Sequence, residues 1–143
     1  MTFLLDVNLL FVLHQPREAY FPIVHRWFSR IRRDRFATCP ITQAGMVRTL
    51  MQGFPNGDRF QMAEAREALR IFVELPGHEF WPDEPSYLDA ALPLFKRMQG
   101  YRQITDAYLL GLARHRGGKL ATLDKAIPSL AGPELADAVE LIA

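Results

Sequence analysis

The sequence predicts a three-layer α/β domain: a central, mostly parallel sheet of four or five strands, flanked by helices. Three observations lead there. Short apolar runs recur along the chain, stretches with helical three-four apolar spacing separate them, and no hairpin signal joins one run to the next. With 143 residues, 49% hydrophobic and 23% charged, residues 1–143 suit a single domain with a continuous core.

The first strand is TFLL, residues 2–5, an apolar run closed by Asp6. From Glu18 to Arg33, Tyr20, Ile23, Val24, Trp27, Phe28 and Ile31 recur at helical spacing, with Arg26, Arg30 and Arg33 opposite. FATCP (36–40) reads as a second strand, after which Thr42 offers an oxygen to cap a helix running through Val47 to about Met51. FPNGD (54–58) ends that helix with Pro and Asn-Gly turn chemistry, and another helix over about 58–73 carries Met62, Ala65, Leu69 and Phe72. His78 to Trp81 forms a third strand.

Pro85 suits the first turn of a helix bearing Tyr87, Leu88, Ala91, Leu92, Phe95 and Met98, and Pro93 should kink or divide it. Thr105 can cap a helix through Ala113, KLATL (119–123) is a fourth strand ending at Asp124, and Ala138 to Ile142 is a last strand. In parallel sheets of this kind, ligands sit at the carboxyl ends of the strands.

Composition excludes several functions. A net charge of +1 does not describe a body that grips duplex DNA through many phosphates, so nucleic-acid contact must be local. The one cysteine, Cys39, and the scattered His14, His25, His78 and His115 show no zinc-ligand spacing. Asp6 and Asn8 interrupt the apolar start, no basic leader accompanies it, and no stretch approaches a membrane span; a cytoplasmic protein is expected.

Asp6 in LLDVN, Asp106 in QITDAYL and Asp124 in LATLD can all reach one edge of the sheet. Each has a plain structural reading, as a helix cap for Asp6 and Asp124 and as a macrodipole partner for Asp106. Together, three carboxylates repel and call for a cation or retained protons. Magnesium or manganese takes a few carboxylate oxygens plus waters, which is the chemistry of phosphodiester hydrolysis.

In order and separation, LLDVNLL, PITQAGMVR, RQITDAYLLGLA and GGKLATLD span nearly the whole chain, and on these segments it resembles the PIN-domain family, most closely the VapC toxins of toxin-antitoxin modules. The resemblance implies a PIN-like fold and a Mg2+- or Mn2+-dependent endoribonuclease that leaves a 3′-hydroxyl and a 5′-phosphate. It also implies a homodimer inhibited by a VapB-like antitoxin, with transfer RNA a candidate substrate. Asp6 and Asp106 match the principal metal-binding acids, and Asp124 matches a later acid acting directly or through water. Asn8, Thr105 and Thr122 match supporting polar positions. Gln43 departs from the pattern, because it stands where many members place Glu and brings no charge.

Arg48 and Arg102 are candidate RNA contacts by their nearness in sequence to the acids. Arg26, Arg30, Arg32, Arg33 and Arg35 read as a solvated helix face before an RNA track, and Trp27 and Phe28 as core or dimer contacts. Phe11, Met46, Met51 and Phe54 read as core, with a groove for a partner helix as the second option. Two other functions stay open: a catalytically weak module that binds RNA or protein, suggested by Gln43, and a DNA nuclease, since metal-assisted hydrolysis does not itself choose the sugar.

Overall fold

The computed structural model describes residues 1–31, 34–54 and 59–143. Thr2–Leu5 (β1) is the middle strand of a five-stranded sheet. Arg35–Thr38 (β2) and then His78–Phe80 (β3) lie on one side of it, Lys119–Thr122 (β4) and Val139–Leu141 (β5) on the other. Every pairing is parallel, with Leu4 opposite Ala37 in β2 and Leu120 in β4. The predicted three-layer architecture is therefore what the chain forms.

Strand alternation sorts the core into two halves. Phe3, Leu5, Phe36 and Ala121 face a layer of four helices: α1 (Val7–Leu13), α2 (Phe21–Ile31), α3 (Pro40–Gln52) and α4 (Met62–Val73). Leu4, Ala37 and Leu120 face the opposite layer, α5 (Tyr87–Ala91), α6 (Ile104–His115) and α7 (Ala126–Ala131). Both faces of β1 are thus covered, which is why TFLL reads as a continuous apolar run. Each fully buried leucine contributes about 1.5–3 kcal/mol.

Several boundaries differ from the sequence reading, each for a local reason. The second strand stops at Thr38, because Cys39 is the N-cap and Pro40 the first residue of α3, the helical position where a missing N–H costs nothing. Thr42 is not that N-cap; from the third helical position its hydroxyl accepts the Cys39 N–H at 3.0 Å. Thr105 does not cap α6 either, since the helix already begins at Ile104. Ser86 caps α5 by accepting the Asp89 N–H, so Pro85 precedes the helix. Pro93 does divide the next segment, which continues past Ala91 as a 3-10 turn, Leu92–Leu94. The expected turn at 55–58, and Arg32 and Arg33, fall outside the described residues.

Two helices were not anticipated. Val7–Leu13 lies between the sheet and its neighbours with Leu9, Leu10 and Val12 buried, so its apolar residues show no clean stripe. Ala126–Ala131 is short and contains Pro128. The contact between α5 and α6 is close: a Cβ on Gly111 would stand 2.1 Å from the Ala90 carbonyl oxygen.

Trp27, Phe28, Met46 and Trp81 are core residues, and Met51 is partly buried against the core. Phe11 and Phe54 meet edge-on at 5.6 Å, and Phe11 also lines a groove of about 430 Å³ between α1 and α3. Arg26 and Arg30 lie on the exposed side of α2, and Arg35 pairs with Glu79 at 3.3 Å. Among the described residues no helix is long and apolar enough to cross a membrane.

Candidate metal centre

The strand order turns at β1: β2 leaves on one side and β4 returns on the other. At such a switch point the chains diverge and leave a crevice beyond the carboxyl ends of the strands. Asp6 is the first residue after β1, and Asp124 comes two residues after the end of β4. The helix α6 enters from the same edge with Asp106 in its first turn.

Asp6 is buried, and its carboxylate is held by three donors. Oδ1 accepts the Val7 N–H at 2.8 Å, and Oδ2 accepts the Thr122 hydroxyl at 2.7 Å and, more weakly, the Asn8 amide at 3.4 Å. Thr122, itself fully buried, also accepts the Asn8 Nδ2 at 3.1 Å and the Asp124 N–H at 3.0 Å. That uses the hydroxyl proton and both lone pairs. Asn8 closes the web by accepting the Leu123 N–H at 3.2 Å. One threonine and one asparagine therefore tie the ends of β1 and β4 together and fix the Asp6 rotamer. Asp124 is not the N-cap of α7, which is Lys125, but from one residue before it Asp124 accepts the Ala126 N–H at 2.9 Å.

Electrostatics records the convergence. Burial raises the Asp6 carboxyl above the ordinary aspartate range, the Thr122 and Val7 hydrogen bonds lower it, and the Asp124 charge raises it again. Asp106 is pushed up to about 6, first by burial and then by the charges of Asp6 and Asp124. Among the described residues, none of the three acids has an ion-pair partner.

The donor set fits a hard divalent cation. Carboxylate oxygens are the ligands that Mg2+ and Mn2+ prefer, and the mutual repulsion of the three acids is what a cation would relieve. Among the described residues no three His, Cys, Asp or Glu side chains enclose an ion by themselves. Mg2+ needs no such cage, since it is held by one or two carboxylates and keeps several waters.

The remaining predicted residues fall into three groups. Asn8 and Thr122 belong to the web. Thr105, Arg48 and Arg102 are exposed, and among the described residues none has a hydrogen bond to the acids; Arg102 lies over the Tyr101 ring, 6.0 Å from its centroid. Gln43 is tethered to the end of β2, its Nε2 donating to the Thr38 hydroxyl at 3.0 Å. Thr38 in turn meets His78 Nε2 at 2.7 Å. No local signal marks that pair, because strand pairing brings Thr38 and His78 together across 40 residues.

The fold and site together define a class: a parallel α/β domain with three coupled acids gathered at its switch point. Residues 3–133 match the PIN domain family, and the chain belongs to that family. It is 37% identical to Ribonuclease VapC38 of Mycobacterium tuberculosis over 139 residues, covering 97% of this chain and 96% of the relative. It is 34% identical to Ribonuclease VapC39 of the same organism over 137 residues, covering 96% and 99%. In fold it is similar to a chain of the crystal structure of VapBC2 from Rickettsia felis bound to a DNA fragment from their promoter, with a TM-score of 0.67, 14% identity and 100% of both chains covered.

Proposed function

We propose that this chain is a VapC-type toxin, a Mg2+- or Mn2+-dependent endoribonuclease held in check by a VapB-like antitoxin. The observation that carries the reading is the convergence of Asp6, Asp106 and Asp124, with Asp106 pushed up to about 6 by burial first and then by its two acidic neighbours. Full-length relatives named as ribonucleases support the choice of RNA. Homodimerisation and a cytoplasmic location are part of the same proposal.

The roles are those the family resemblance implies, and the convergence of the three acids supports them. Asp6 and Asp106 would hold the cation, with Asp124 acting on it directly or through water. When bound, the cation would polarise the scissile phosphate and lower the pKa of an attacking water. Thr122 and Asn8 keep Asp6 in one orientation, so little reorganisation is needed when the cation arrives. Arg48 and Arg102, exposed near this edge in sequence, are the proposed phosphate contacts, with Thr105 as a further polar contact at the start of α6.

The test is cleavage of a mixed RNA pool containing transfer RNA, beside sequence-matched DNA, with Mg2+, Mn2+ or a chelator. Metal-dependent cutting of RNA, absent from Asp106→Asn, is the expected result. Preferential cutting of DNA would replace RNA as the substrate. Equal inactivity of folded, antitoxin-free wild type and Asp106→Asn would leave a binding module, consistent with the missing charge at Gln43.

A further inference from the structure

The three-residue chain Gln43, Thr38 and His78 is not used by the proposed mechanism, and with the Gln43 amide nitrogen turned toward Thr38 its hydrogen-bond accounting has one favourable solution. Thr38 is the last residue of β2 and is fully buried. Its Oγ1 accepts the Gln43 Nε2 at 3.0 Å and lies 2.7 Å from His78 Nε2. A threonine hydroxyl has one proton to give. If His78 also donated to Oγ1, that proton would have no partner inside a buried site, a costly arrangement. With the amide in this orientation the balanced order has the hydroxyl donating to His78, with Nε2 as the acceptor and the ring proton on Nδ1. Burial agrees with a neutral ring, since it lowers His78 below the ordinary histidine range, against the opposing effect of Glu79.

The consequence reaches Gln43. With its Nε2 committed to Thr38, the amide carries its Oε1 away from that bond, and among the described residues Oε1 accepts no hydrogen bond from the protein. Gln43 lies in the second turn of α3, the helix that starts at the carboxyl edge of β2. Ala37, one residue before Thr38, pairs with Leu4, two residues before Asp6. Turning the amide over would place Oε1 against Thr38 and require the reverse proton order along the chain.

We propose that Thr38 and His78 are positioning residues that fix which end of the Gln43 amide faces the acidic edge, presenting Oε1 as a neutral acceptor for a water or a nucleotide hydroxyl. This rests on the ribonuclease reading for its effect on turnover, but not for the hydrogen-bond order itself. An uncharged acceptor held in one orientation would let a glutamine serve at this position. A carboxylate accepts at either oxygen, whereas an amide accepts only through its oxygen.

The experiment has two arms on the full-length chain. In the first, 15N spectroscopy of histidine-labelled protein reads the His78 tautomer at neutral pH. Nε2 without a proton and Nδ1 with one is expected; a protonated Nε2 overturns the proposal whether or not the protein cuts RNA. In the second, kinetics with Mn2+ compares Thr38→Val, His78→Leu and His78→Gln, alone and in a Gln43→Ala background.

Thr38→Val and His78→Leu should lower kcat by roughly 2–10-fold, the worth of one hydrogen bond, with KM little changed. His78→Gln, whose Oε1 can replace the Nε2 acceptor, should restore most of it. In the Gln43→Ala background all three should have no further effect. Losses that persist undiminished without Gln43 overturn the relay. Wild type that fails to cut RNA removes the ribonuclease reading and leaves the tautomer measurement to decide the hydrogen-bond order.

Discussion

Replacing Asp106 with Asn should make the protein more stable while abolishing its nuclease activity, and the gain should carry a pH signature. The Asp106 carboxyl moves from an ordinary 3.8 to about 6 on folding, because burial and the charges of Asp6 and Asp124 disfavour its ionised form. A group raised in this way favours the folded state below its unfolded pKa, and that advantage is lost as pH rises through the folded value. At about 1.4 kcal/mol per pH unit, the full difference is ~3 kcal/mol. Asp106 is only partly buried, so solvent screening reduces this to about 1–2 kcal/mol. For a domain of this size that is a rise in Tm of about 3–8 °C.

Thermal melts of wild type and Asp106→Asn in chelator, from about pH 4 to pH 8, measure the difference. It should be near zero at the acid end, grow up to about pH 6 and then level off. Added Mn2+ should raise the Tm of wild type by mass action and move the variant little. A gain independent of pH, or no gain at about pH 8, would refute the argument from repulsion.

Thr122→Val keeps the shape but removes the hydroxyl that serves Asp6, Asn8 and Asp124. It should cost about 1–3 kcal/mol in urea unfolding and weaken Mn2+ binding measured by calorimetry. Gly111→Ala forces a Cβ onto the Ala90 carbonyl and should cost at least about 1–3 kcal/mol, read as a lower Tm, with α5 moving away from α6. Arg97→Met removes donors to the Leu130 and Ala131 carbonyls at the end of α7. A loss of about 1–2 kcal/mol by chemical denaturation, with cleavage unchanged, is expected.

What the sequence made legible was decided by how local each signal is. β1 and β4 are apolar runs closed by acids, so both the strands and the positions of Asp6 and Asp124 could be read directly. Asp106 was legible as the acid opening an amphipathic helix. The helix Val7–Leu13 was not, because a segment packed among several neighbours loses the polar stripe that marks a period. The boundary between β2 and α3 slipped because Pro40 looks like a terminator and is in fact a helix start. The resemblance pointed to Asn8 and Thr122, but only the fold shows them as one web across 114 residues. Nothing in sequence joins Gln43 to His78; their connection runs through a buried hydroxyl supplied by a neighbouring strand.

The central position of β1 also sets a clock for the molecule's birth. β1 is made before β4, and the Thr122 hydroxyl that grips Asp6 arrives 116 residues after it. At synthesis rates of about 5–20 residues per second, Asp6 waits several seconds or more for the rest of its cluster. A nascent or prematurely terminated chain lacking β4 has no assembled acidic site. For the proposed toxin, translation has to pass β4 before the acidic cluster assembles and any harmful chemistry begins.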